Sequence, residues 1–116
     1  MIIIKGKNTI IEALRANLPL REIIVVQKTD HIPDVKTILT AARKRQIKIT
    51  QVSSREFQDI AKDKTAQHII AYAPNVQHHD LEKFTQNPKD HPILVMTDHL
   101  EDPFNFGAIM RSAYAL

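Results

Sequence analysis

Cysteine and tryptophan are absent from this 116-residue sequence, glycine occurs twice, and aromatic residues make up 5% of it. Without cysteine there is no disulfide framework and no thiolate metal site, so packing alone must hold the fold. Two glycines, Gly6 and Gly107, cannot form a glycine-rich phosphate loop. No apolar run approaches the roughly 18 residues of a membrane span, and Met1–Lys5 is far too short for the core of a signal peptide. A cytoplasmic location is the expectation that follows. Tyr72, Tyr114 and four phenylalanines are the only rings available to stack on bases, and both tyrosines fall in expected core elements. Any nucleic-acid binding would therefore lean on phosphate and shape.

What is present is ordinary globular material, 43% hydrophobic and 25% charged, too apolar for a disordered chain. The net charge of +3 conceals an asymmetry. Residues 1–75 hold 13 Lys plus Arg against 7 Asp plus Glu, a balance of +6, whereas residues 76–116 hold 3 against 6, a balance of −3. A basic first part points to a polyanionic partner, most simply nucleic acid. Excess lysine for solubility alone is the competing explanation.

Ile2-Ile3-Ile4 has the pattern of a short strand broken at Gly6, and Thr9-Ile10-Ile11-Glu12 has the spacing of a capping box. The helix so opened would carry Ile10, Ala13, Leu14 and Leu18 to the core and stop at Pro19. Glu22–Gln27 is apolar and β-branched without alternation, the pattern of a central strand covered on both faces. Pro33 suits a first helical turn, and Val35, Ile38, Leu39 and Ala42 recur at helical spacing as far as Arg45. Ile47–Val52 alternates, as an edge strand does. Ser53-Ser54-Arg55-Glu56 offers a second capping box for a helix through Phe57, Ile60 and Ala61, and His68–Ala73 closes the series as a strand. This order predicts an α/β sandwich with a mostly parallel sheet over residues 1–75.

Residues 76–91 are polar, with prolines on either side, and have the character of a linker containing a short helix at Leu81–Phe84. Residues 92–116 resume with an apolar strand, Pro92–Thr97, and a helix from Ala108 that is still running at Leu116. One strand and one helix cannot enclose a core, so the second domain is expected to be cut short.

Between them, Thr97–Ala113 forms a strand end opening into an Asp-Pro loop, with Asn105 and Gly107 at a helix mouth and Arg111 inside the helix. Ligands of open α/β sheets gather beyond strand carboxyl ends, where helix amino ends offer N–H groups to anions and an arginine fork can grip phosphate. A plain alternative is that Asn105 caps the helix, Gly107 relieves crowding and Arg111 is a solvated helix residue.

The pattern D-P-x-N-x-G-A-I-x-R-S-A over Asp102–Ala113 resembles the first signature motif of the SpoU/TrmH family of RNA 2′-O-ribose methyltransferases. The front part is similar to the substrate-binding domain many of these enzymes carry, in Ile4-Lys5-Gly6 with Glu12-Ala13-Leu14, in Ile23-Ile24-Val25 and in Ile47-Lys48-Ile49. That domain is a three-layer α/β/α module shared with certain RNA-binding ribosomal proteins. The resemblance implies that it is followed here by a truncated knotted methyltransferase domain. In such enzymes the arginine matching Arg111 helps deprotonate the ribose hydroxyl and holds the adjacent phosphate, and the asparagine matching Asn105 shapes the same site. The implied cofactor is S-adenosylmethionine, held by two later motifs that this sequence lacks, so the chain is expected to bind RNA, 23S rRNA sooner than tRNA, without binding the cofactor or catalysing. For the full-length enzyme the resemblance implies a homodimer through the knotted domain. One departure is Ala66-Gln67-His68, where many relatives have His-Gln-Gly. It puts the turn or RNA contact made there in question.

The candidate RNA contacts are Lys5, Lys7 and Asn8 around Gly6, and the cluster Arg43, Lys44, Arg45 and Lys48. Turn chemistry would equally explain the first set, and the negative end of a helix the second. His78-His79-Asp80 lacks a third ligand at suitable spacing, so no metal is expected. Asp98, Glu101 and Asp102 fit a structural loop better than an acid/base group. Two other functional classes remain open: a stand-alone RNA-binding module of ribosomal-protein type, and an adaptor that self-associates through the apolar end of the second unit.

Overall fold

The computed structural model describes residues 1–63, 66–86 and 93–116, which form two compact units, residues 1–76 and 77–116. Pro88 and Pro92 of the expected linker and strand lie outside the described residues. Unit 1 runs β1 (Ile2–Lys5), α1 (Lys7–Arg15), β2 (Glu22–Val26), α2 (Pro33–Lys44), β3 (Lys48–Val52), α3 (Ser54–Ala61) and β4 (Ile69–Ala73).

Local signals explain most of these elements. Gly6, at φ 87°, turns β1 directly into α1, which therefore starts at Lys7 with no side-chain cap. Thr9 lies inside the helix, so the capping box expected at Thr9–Glu12 does not form. Helix α1 ends before Pro19, because Asn17 adopts a left-handed conformation at φ 56°. The N–H groups of Asn17 and Leu18 then donate to the carbonyls of Leu14 and Ala13 at 3.0 and 2.9 Å. This closure leaves Leu18 exposed and buries Leu20 in the place expected for it. Gln46 ends α2 in the same way, with Ile47 N–H donating to Ala42 at 2.9 Å. Ser53 and Glu56 do form a reciprocal capping box at the start of α3.

The sheet order is β1-β4-β2-β3. Only β2 and β3 pair in parallel, whereas β4 lies between β1 and β2 and is antiparallel to both. The sheet is thus mixed, not mostly parallel. The reason lies at Gln67 and His68, which take φ of 49° and 71° and reverse the chain into β4. Strand β2 is central and two-faced, as its apolar run predicts. Ile23 and Val25 join α1 and α2 in a cluster with Ile10, Leu14, Val35, Ile38, Leu39, Ile69 and Ala71. Ile24 and Val26 face Phe57 and Ala61 of α3, with Ala66 and Ile70. Three layers result: α1 with α2, the sheet, and α3. Strands β1 and β3 are the edges, which matches the half-exposed alternation of β3.

Strands β1, β2 and β3 point the same way, so the unit has two poles. Lys5, Val26 and Val52 mark the strands' carboxyl pole, and Ile2, Glu22 and Lys48 their amino pole.

Unit 2 contains α4 (Leu81–Gln86) and α5 (Pro103–Ala115). Helix α5 begins at Pro103, earlier than the sequence pattern predicts, because the N–H of Phe104 donates to the Asp102 carboxylate at 2.8 Å and proline fits the first helical position. Residues 93–97, nearly all of the strand expected at Pro92–Thr97, are not in a strand. A strand exists through hydrogen bonds to a partner strand, and none is present among the described residues of the unit. Helix α5 buries no residue, leaving Phe104, Phe106, Met110 and Tyr114 exposed with Ile93, Leu94, Val95 and Met96.

Candidate functional site

The carboxyl pole of unit 1 holds a cavity of about 780 Å³ lined by Lys7, Ile32, Phe57, Gln58, Lys62, Asp63, Gln67 and His68. Three connections converge there. The first is the β1–α1 turn at Gly6, where the opening N–H groups of a helix have no intrahelical partner. Ile32, which precedes α2, contributes from the second. The third is the α3–β4 connection, where Lys62, Gln67 and His68 all take positive φ. Phe57 and Ile32 supply an apolar wall, and the cations rim it.

Lys5 and Lys7 are half-buried at this pole, and Asn8 is exposed beside them. Lys5 Nζ lies 3.4 Å from Asp63 Oδ2 and Lys7 Nζ lies 3.4 Å from Asp34 Oδ2. Pairs of this exposure contribute little and leave both lysines able to exchange a carboxylate for a phosphate. Residues named from sequence thus meet three that were not: Lys62, Gln67 and His68. The available signal was the departure at Ala66-Gln67-His68. A turn forms there, with His68 in the backbone region where glycine is at ease, and Ala66 is fully buried under α3.

The other basic cluster is elsewhere. Arg43, Lys44 and Arg45 end α2, and Lys48 opens β3, all exposed at the amino pole. Helix α2 separates the two sets by about 18 Å, twelve residues at the α-helical rise. Lys48 Nζ contacts Glu22 Oε1 at 3.0 Å, and Thr50 Oγ1 donates to the same oxygen at 2.6 Å. The Thr50 hydroxyl first, and then Lys48, hold the Glu22 carboxyl below its ordinary value, against a smaller opposing effect of burial.

In unit 2, Asn105 and Arg111 are both exposed on α5. Asn105 does not cap the helix, since Asp102 does. Six positions separate the two residues, about 9 Å along the axis and about 120° around it. No group of three or more His, Asp or Glu side chains that would hold a metal ion occurs among the described residues.

Comparison with known proteins places this geometry in context. Residues 3–89 match the family model described as RNA 2′-O ribose methyltransferase substrate binding. A putative TrmH family tRNA/rRNA methyltransferase, YacO, of Bacillus subtilis (strain 168) is 28% identical over 116 residues, which cover 96% of this chain and 45% of that protein. An uncharacterized tRNA/rRNA methyltransferase of Mycolicibacterium gilvum is 29% identical, covering 97% and 37%. The 23S rRNA (guanosine-2′-O-)-methyltransferase RlmB of Photobacterium profundum is 31% identical over 109 residues, covering 90% and 44%. The chain spans less than half the length of these curated relatives. With a substrate-binding domain matched over most of its length, the chain belongs to the SpoU/TrmH family of RNA methyltransferases.

Proposed function

We propose that unit 1 docks structured RNA, ribosomal sooner than transfer RNA, and that unit 2 carries the first catalytic motif of a 2′-O-ribose methyltransferase acting in the cytoplasm. The observation that carries the RNA reading is the convergence of Lys7, Lys62, Gln67 and His68 on one cavity, with Lys5 paired to Asp63 of its lining. A flipped or looped nucleotide fits such a place, with its backbone on the lysines and its base against Ile32 and Phe57.

For the chemistry, a ribose 2′-hydroxyl is a poor nucleophile. A guanidinium beside it and its 3′ phosphate favours the alkoxide by stabilising negative charge as it develops. Arg111 has the fork to hold the phosphate, and Asn105 has an amide to orient the sugar. S-adenosylmethionine would supply an electrophilic methyl group. The chemistry assigned to this chain's own residues is that of Asn105 and Arg111. Homodimer assembly is proposed, on the family resemblance, for a longer protein that includes the later motifs.

Fluorescence anisotropy with a stem-loop of 23S rRNA tests the docking. The double variant K7Q/K62Q should bind roughly tenfold more weakly, as expected for the loss of two phosphate contacts. Unchanged affinity would exclude the cavity as the RNA site.

A further inference from the structure

The topology of unit 1 sorts its charge by pole. Helices α1 and α2 both end at the amino pole, and the chain re-enters the sheet there at Arg21–Glu22 and at Lys48. Arg15, Arg21, Arg43, Lys44, Arg45 and Lys48 therefore collect at one end, against only Glu12 and Glu22. Arg15 pairs with Glu12 at 2.7 Å and Lys48 with Glu22 at 3.0 Å. Among the described residues no acid pairs with Arg21, Arg43, Lys44 or Arg45. The other described charges of the unit are six cations against five acids, with Lys5 and Lys7 paired.

Helix dipoles do not account for this excess. Each helix end carries about half a negative charge, so α1 and α2 together offset about one of the four unpaired cations. The surplus is three-quarters guanidinium, whose planar fork suits phosphate oxygens. Strand β4 also finishes at this pole, with Ala73 opposite Ile2. The chain thus leaves unit 1 from its most basic end.

We infer that the amino pole is a second RNA contact, which grips phosphate backbone through Arg21, Arg43, Lys44 and Arg45 about one α2 length from the cavity. The inference rests on the reading of unit 1 as an RNA-docking domain. The two contacts divide the labour: the cavity takes a local feature of the RNA, and the amino pole takes the continuing strand without regard to sequence.

Salt dependence of binding tests it, on the full chain with a stem-loop RNA of about 16 base pairs. For R43Q/K44Q/R45Q the slope of log Kd against log salt should flatten by roughly two to three, and for Arg21→Gln by roughly one, with affinity falling most at low salt. Melting curves verify folding, and Arg21→Gln carries the comparison if the triple variant does not fold. A slope and affinity equal to those of the parent chain would overturn the second contact, whatever K7Q/K62Q does. An effect of K7Q/K62Q alone would leave the cavity standing and remove the amino pole. Failure of the parent chain to bind RNA would remove both. Equally tight binding to polyglutamate would reduce the pole to a general polyanion surface and overturn its assignment to RNA.

Discussion

Glu22 on β2 accepts a 2.6 Å hydrogen bond from the Thr50 hydroxyl on β3, across the parallel pair that forms one side of the sheet. The bond favours the charged carboxylate, so the folded-state pKa of Glu22 lies below its ordinary value of 4.5. As pH falls, the unfolded chain takes up this proton first. The stabilisation is therefore complete above about pH 4.5 and is lost as pH drops through the lower folded-state value. Thr50→Val should remove about 1 kcal/mol at neutral pH and make the decline in acid shallower. Urea titrations of both proteins from neutral pH to about pH 3 would show it, and parallel curves would count against it.

Backbone conformation carries the second prediction. His68 holds φ 71° next to Gln67 at 49°, a pair of left-handed residues without glycine. His68→Gly relieves the strain at one of them and should stabilise unit 1 by about 1 kcal/mol, raising its melting temperature by roughly 4–8 °C. A fall in melting temperature would mean that the His68 side chain contributes more to packing than the strain costs.

Burial carries the third. Ile70 of β4 is fully buried against Phe57 and Ala61 on the α3 face. Ile70→Ala should cost about 2–4 kcal/mol in chemical denaturation, a large part of the total stability of a small domain. A loss below about 1 kcal/mol would show that α3 is not a true third layer.

The fourth concerns catalysis. In a protein joining this sequence to the family's later motifs, Arg111→Ala should lower kcat by roughly 10²–10³-fold while RNA affinity changes little, as read by methyl transfer to rRNA. Equal activity would return Arg111 to an ordinary helix residue. By calorimetry the 116-residue chain itself should not bind S-adenosylmethionine, and micromolar binding would show that the cofactor site is present in it.

Elements whose periodicity is also their burial were legible in the sequence. Val35, Ile38, Leu39 and Ala42 recur at helical spacing and are all buried, and the unbroken run Ile23–Val26 is covered on both faces. What escaped were features set by backbone geometry. Nothing in the residue types of Gln67 and His68 announces positive φ, so the antiparallel course of β4 was not foreseen. Gly6 at φ 87° pre-empts the capping box that Thr9 and Glu12 advertise. The sequence distinguishes two groups of candidate RNA residues but not that Lys5, Lys7 and Asn8 lie at one pole and Arg43, Lys44, Arg45 and Lys48 at the other. Separation along a sheet depends on strand direction, which charge patterning does not encode. The same gap hid Lys62 and His68 from the cavity, and Arg15 and Arg21 from the basic pole.

The central place of β4 has a consequence for the birth of the protein. The strand that joins β1 to β2 is the last of unit 1 to be synthesised, and it pairs with residues made about 45 to 70 positions earlier. The first 61 residues can form helices and the β2–β3 pair on the ribosome, but the sheet stays open until Ala73 has emerged. Such distant pairings make closure a slow, all-or-none step. A nascent chain stalled before Ile69 should therefore be degraded as unfolded, and one stalled after Ala73 should resist proteolysis throughout unit 1.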